Sequence, residues 1–202
     1  MIKAKLHHAK KRLEKQNDII MIVGDGRTAP KDISIVKEVW KSDCDVGCIG
    51  RAIKLVPQSK HWFNVDGDTA IYWASQINGA VTHTIGDVRN FDTDWDVIQP
   101  DYNYAKITGQ EGRMHGSTAL FAVLVSIEIG YKKIILAGCP LDTEGHWYWE
   151  PDTPETLGPI WQCTDIMAWI DFKEQQEAKN VKSMSGYTAK ILGKAKERWL
   201  NG

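Results

Sequence analysis

The chain is poor in the features that would place it in a specialised class. It has four cysteines in 202 residues, too few for a disulfide framework in a chain of this size. Three residues separate Cys44 from Cys48 and no matching pair follows, so the spacing is not that of a zinc knuckle. Reduced, mostly buried thiols are expected for Cys44, Cys48, Cys139 and Cys163. No sign of charge dominates: the formal net charge is −1, which argues against an overall nucleic-acid-binding or membrane-surface character. No stretch reaches the roughly eighteen uninterrupted apolar residues of a membrane span, and residues 1–18 lack the apolar centre of a signal peptide. A cytoplasmic location is therefore expected. There is no internal repeat and no low-complexity segment. No Gly-Lys-Ser/Thr follows the glycine turn at 24–26, so that turn is not a Walker loop.

What is present describes an ordinary globular domain. Hydrophobic residues make up 43% and charged residues 25%, and the length suits one well-buried core rather than two full domains. Residues 1–18 are basic and helix-prone, with Lys3, Lys5, Lys10, Lys11, Arg12 and Lys15. They read as an N-terminal helix that is either a solvated face or a contact for a polyanionic acceptor. Adjacent His7 and His8 would point to different faces of such a helix and cannot jointly grip a metal.

From residue 19 onward, strand-like and helix-like segments alternate. Residues 19–23 (IIMIV) are continuously apolar, as a parallel strand buried on both faces should be. A helix follows, with Thr28 as its N-cap and Pro30 in its first turn. Further strands are expected in 45–56, at 61–65 and in 79–86, and an amphipathic helix over 69–78. Residues 87–114 are rich in Asp, Gly, Tyr and Asn and read as long loops. Ser117 or Gly116 starts a helix with an apolar stripe through Leu120, Val123, Leu124 and Ile127, which Gly130 ends. A buried strand (KKIILAG), a loop over 143–160, a helix over 161–178, a last strand (NVKSMS) and a closing helix complete the chain. The expected fold over 19–202 is one doubly wound, Rossmann-like α/β domain with a mostly parallel sheet. Ligands in that architecture bind at the carboxyl ends of the strands, near the point where strand order reverses. Gly24-Asp25-Gly26, Asp66-Gly67-Asp68 and the run from Gly138 to Asp142 all fall at such ends.

Gly24-Asp25-Gly26-Arg27-Thr28-Ala29 fits the loose G-x-G-x-x-[GA] pattern after a strand. It reads either as a simple tight turn or as a turn whose amides and following helix hold a phosphate. Arg51, near the end of the second strand, would suit the 2′-phosphate of NADP. Asp66 and Asp68 read as a solvated turn or as a D-x-D pair holding a divalent cation against a diphosphate. Asp92, Asp94 and Asp96 alternate but lack the pattern of a calcium loop. His146 is flanked by Trp147, Tyr148 and Trp149, aromatic faces able to stack on a sugar or base. Trp40, Trp62, Trp73, Trp161 and Trp169 are expected in the core.

The stretch IIMIVGDGRTAPKDI, and GSTALFAVLVSIEIGYKKIILAGCPLD after it, resemble two blocks of a known superfamily. It comprises the Campylobacter-type bacterial sialyltransferases and the motility-associated-factor glycosyltransferases, and archaeal 6-hydroxymethylpterin pyrophosphokinases share its skeleton. The resemblance implies that Gly24, Gly26 and Thr28 contact a nucleotide, together with Gly116, Ser117, Thr118 and Gly138; Asp25, Arg27 and, from the D-x-D pattern, Asp66 join them as candidate nucleotide contacts. It also implies that His146, or else Asp142, is the general base. Asp25 stands where the family has asparagine, and Arg27 where it has proline. An acid beside phosphates would repel them, so Asp25 is expected to read a ribose and Arg27 to answer the anion. The implied function is transfer from a CMP- or UDP-type nucleotide-sugar donor to a hydroxyl-bearing acceptor, with or without a divalent metal. A pyrophosphokinase, an NADP-dependent enzyme and a non-catalytic nucleotide-binding protein are the alternatives.

Overall fold

The computed structural model describes residues 5–6, 15–65, 73, 75–85, 97–99, 117–148 and 159–201. The strands are β1 (Lys5–Leu6), β2 (Ile19–Val23), β3 (Asp45–Ile49), β4 (His61–Phe63), β5 (Val81–Ile85), β6 (Val97–Gln99), β7 (Lys133–Ala137) and β8 (Val181–Ser183). They form one eight-stranded sheet in the order β1-β6-β5-β4-β3-β2-β7-β8. Every pairing from β6 to β8 is parallel, and only β1 runs antiparallel, against β6. The helices are α1 (Ala29–Ser34), α2 (Thr118–Ile129), α3 (Pro159–Lys173), α4 (Gly186–Leu192) and α5 (Glu197–Asn201).

Side-chain alternation along β2 sorts the core into two halves. Ile20 and Ile22 meet Phe63, Leu120, Phe121, Trp169 and Phe172 on the face covered by α2 and α3. Met21 and Val23 meet Val36, Cys48, Ile53, Trp62 and Ile135 on the other. Helix α2 is buried continuously from Ala119 to Ser126, because apolar residues surround its axis rather than forming one stripe. Gly130 ends it at φ +98°, donating its amide to Ile127 O, a left-handed cap that glycine adopts without steric cost.

The chain runs outward from β2 through β3, β4 and β5 to β6, then returns past β2 to β7 and β8. Strand order therefore reverses between β2 and β7, whose carboxyl ends are Val23 and Ala137. That is the crevice in which open α/β sheets bind ligands, and the loops at 24–28 and 138–148 meet there.

The α/β architecture agrees with the sequence reading, but several elements differ in detail. In the segment expected to be a basic helix, Lys5–Leu6 is a strand and residues 16–18 form bends. Pairing with β6 outweighs local helix propensity here, as tertiary contacts commonly do. Strand β6 lies within the stretch read as loops. Helix α1 widens after Ser34 into a π-turn, in which Trp40 N donates to Ile35 O at 2.9 Å. The helix expected over 161–178 is α3, followed by a 3₁₀ turn at Gln176–Asn180. The closing helix is broken at Gly193 (φ +89°) into α4 and α5. Asp66, Gly67, Asp68, Asp92, Asp94, Asp96 and Gly116 lie outside the described residues, as does Trp149. No described helix is long and apolar enough to cross a membrane.

Candidate functional site

The loops after β2 and β7 are joined by backbone hydrogen bonds. Gly24 N donates to Ala137 O at 2.8 Å, Gly26 N to Gly138 O at 2.9 Å and Arg27 N to Gly145 O at 3.1 Å. In return, Trp147 N donates to Asp25 O at 3.1 Å. The glycines of the G-x-G pattern permit this approach. A Cβ on Gly24 would stand 2.5 Å from Gly138 O, and one on Gly26 2.4 Å from Pro140 Cδ. Gly138 has φ +65°, and its Cβ would stand 2.3 Å from that of Ala29. The amides of Gly24, Gly26 and Arg27 thus bind carbonyls of the neighbouring loop, and the motif works as a scaffold.

Asp32, on α1, pins the same junction from beneath. Its buried Oδ2 accepts hydrogen bonds from Gly138 N at 3.0 Å, Ser185 Oγ at 2.8 Å and Thr28 Oγ1 at 2.9 Å. The Thr28 hydroxyl is therefore bound within the protein, and Ser185 adds β8 to the junction.

Above this scaffold, Asp25 and His146 face one another, with His146 Nδ1 3.1 Å from Asp25 Oδ1. Burial favours the neutral imidazole, but the Asp25 carboxylate outweighs it and the His146 pKa is raised above the ordinary value. The Asp25 carboxylate beside Nδ1 favours the charged ring and restrains its orientation. The ring stacks on Tyr148 at 5.1 Å and 8°. Tyr148 in turn carries the Arg51 guanidinium, 3.7 Å from its ring centre, and Trp147 packs edge-on against it at 5.5 Å. Arg51 also lies 5.0 Å from the Trp73 ring, as does Lys54 Nζ. Three loops, after β2, β3 and β7, thus share one aromatic and cationic cluster.

The other sequence candidates fall around this cluster or outside it. Ser117 is the N-cap of α2, and its hydroxyl accepts from Trp169 Nε1 at 3.3 Å. Thr118 opens that helix. Asp142 accepts from Glu144 N at 3.1 Å in a local turn, and burial raises its pKa. Asp66 and Asp68, the candidate metal ligands, and Gly116 lie outside the described residues. Among the described residues, no group of three or more His, Cys, Asp or Glu side chains could hold a metal ion. Cys44, Cys48 and Cys139 are free and buried, and burial raises the pKa of each thiol, which leaves them unreactive.

A second polar cluster, inside the core, had no counterpart in the sequence reading. Tyr131 donates its hydroxyl to Asp45 Oδ2 at 2.7 Å, and Lys60 Nζ reaches the same oxygen at 3.1 Å. His61 Nε2 lies 3.0 Å from the Tyr131 oxygen, and His61 Nδ1 3.0 Å from His83 Nε2. With the tyrosine proton committed to Asp45, the tautomers follow in order: His61 donates from Nε2 and accepts at Nδ1 from His83. His83 Nδ1 remains buried without a partner. Asp45 opens β3 and His61 opens β4, so polar residues at the first positions of two apolar strands were the available signal.

No family model, no curated protein and no solved structure matches the chain.

Proposed function

We propose that the chain is a nucleotide-dependent transferase of the glycosyltransferase kind, with His146 as the general base. The observation that carries this reading is the Asp25–His146 contact of 3.1 Å at the point where strand order reverses. In this reading Asp25 orients the base, in place of the ribose contact expected from sequence. Neutral His146 takes the proton of an acceptor hydroxyl at Nε2 while the hydroxyl oxygen bonds to the anomeric carbon of the donor. The bond from that carbon to the nucleotide phosphate breaks, and the nucleotide leaves with the electron pair. Trp147 offers an aromatic surface to the sugar or base, and proximity supplies much of the acceleration.

The test is a screen of CMP-, UDP-, GDP- and dTDP-sugars for transfer or hydrolysis, with His146→Gln alongside. Consumption of one donor, reduced about a hundredfold or more in the variant with donor binding retained, supports the reading. Binding without turnover, unchanged by His146→Gln, supports a nucleotide-binding protein that performs no chemistry. Absence of any binding or turnover overturns both.

A further inference from the structure

Three amides that a phosphate-binding glycine turn would offer, those of Gly24, Gly26 and Arg27, are donated to carbonyls, so side chains must take a large share in holding an anion at this cleft. Three buried N–H groups at the cleft have no hydrogen-bond partner: Arg27 Nε, Arg51 Nε and Trp147 Nε1. All three are donors only. A buried donor without a partner costs free energy, and three on neighbouring loops call for a ligand rich in acceptors. The charge points the same way. Among the described residues, Arg27, Arg51 and Lys54 form no ion pair. Water could accept the hydrogen bonds but would leave the positive charge unanswered. Arg51 is also held in place: Tyr148 and Trp73 lie against its guanidinium, which restricts its plane. Its in-plane N–H groups remain to form the paired hydrogen bonds that suit a phosphate.

We propose that Arg51 and Trp147, with Arg27, form a phosphate clamp, for which the glycine turn is only the scaffold. The proposal rests on reading this cleft as a nucleotide site, and it adds Arg51 and Trp147 to the residues that hold the ligand.

Isothermal titration calorimetry tests it on the full chain and on Arg51→Gln, Arg51→Lys and Trp147→Phe. The probes are inorganic pyrophosphate, CMP, UDP and NADP, against cytidine, uridine and NAD. For whichever phosphorylated probe binds, Arg51→Gln is expected to weaken affinity about tenfold or more. Arg51→Lys should weaken it nearly as much, because an ammonium lacks the fork. Trp147→Phe, which removes one N–H and keeps the packing, should weaken it several-fold. Phosphate-free nucleosides should be indifferent to all three. Binding of CMP or UDP places a donor phosphate in the clamp, whereas binding of NADP but not NAD places a ribose phosphate there. Unchanged nucleotide affinity in Arg51→Gln and Trp147→Phe overturns the clamp and leaves the nucleotide reading standing. Arg51-dependent binding of pyrophosphate without any nucleotide binding supports the clamp and overturns that reading. Failure of every probe overturns both. Should Arg51→Gln not fold, Trp147→Phe decides alone.

Discussion

Gly138 donates its backbone N–H to Asp32 Oδ2 at 3.0 Å, so a side chain of α1 holds the loop that carries His146. The two hydroxyls on the same oxygen, from Thr28 and Ser185, can rotate to suit a new partner, but the Gly138 amide cannot. Asp32→Asn, with its amide nitrogen turned toward Gly138, should therefore lose about 1–3 kcal/mol. Rotation of the amide to restore an acceptor would leave its NH₂ group buried on the other side. Urea denaturation measures this directly, and an unchanged midpoint would refute the role given to Asp32.

The glycine turn separates a scaffold from a phosphate cradle. A methyl on Gly24 would meet the backbone oxygen of Gly138 at 2.5 Å, whereas one on Gly79 meets nothing within 4 Å and adds only the strain of φ +75°. Gly24→Ala and Gly26→Ala should each cost about 1–3 kcal/mol through overpacking, with no ligand present. Gly79→Ala should cost about 1 kcal/mol, from strain alone. Thermal melts of the three variants without nucleotide suffice. Full stability in Gly24→Ala would contradict the loop junction.

The contrast also shows what sequence could and could not supply. The residues 19–23 and 133–137 announce buried strands by composition, because both faces of a central parallel strand are covered. Gly130 announces a helix end because few other residues adopt φ +98°. The pattern G-x-G, however, records only that something approaches a backbone closely, and the partner here is Gly138 to Pro140, distant in sequence. The Asp25–His146 pair was invisible for the same reason: each residue was singled out, but no local periodicity joins two loops. His61 and His83 fall within the strands expected at 61–65 and 79–86, and nothing in such short apolar runs shows that Tyr131 and Asp45 lie beside them.

Asp25→Asn removes the charge that raises the His146 pKa. In the proposed reaction the base works only when deprotonated, so the wild-type rate should rise with pH through that raised pKa. In Asp25→Asn the rising limb should move to lower pH, while the plateau falls about 10²–10⁴-fold because the ring is no longer correctly oriented. The pH dependence of kcat/KM reads both effects. A lowered plateau with an unmoved limb would mean that Asp25 does not set the charge state of His146.

The buried histidines predict the acid side of stability. Burial is the main cause that lowers His61 to about 4, with the nearby charge of Lys60 adding and that of Asp45 opposing. Burial also lowers His83 well below its ordinary value, with His61 adding. Both rings are neutral in the folded protein at pH 7, and the unfolded chain takes up their protons near pH 6.5. Their contribution is therefore complete above pH 6.5 and declines as pH falls toward 4. His61 alone accounts for about 3 kcal/mol over that interval. Asp45 acts lower. Burial raises its pKa, but the hydrogen bonds from Tyr131, Gln16, Lys60 and Asn17 outweigh it and the net shift is downward. Its contribution is lost only below the usual carboxylate range. His146 has the opposite sign: with its folded pKa raised, its contribution is complete below pH 6.5 and is lost as pH rises through the folded value. Stability should therefore peak near pH 6.5, and His83→Gln should flatten only the slope between pH 6.5 and 4. Guanidinium denaturation across pH measures the curve, and an equally steep acid slope in His83→Gln would exclude His83 as its source.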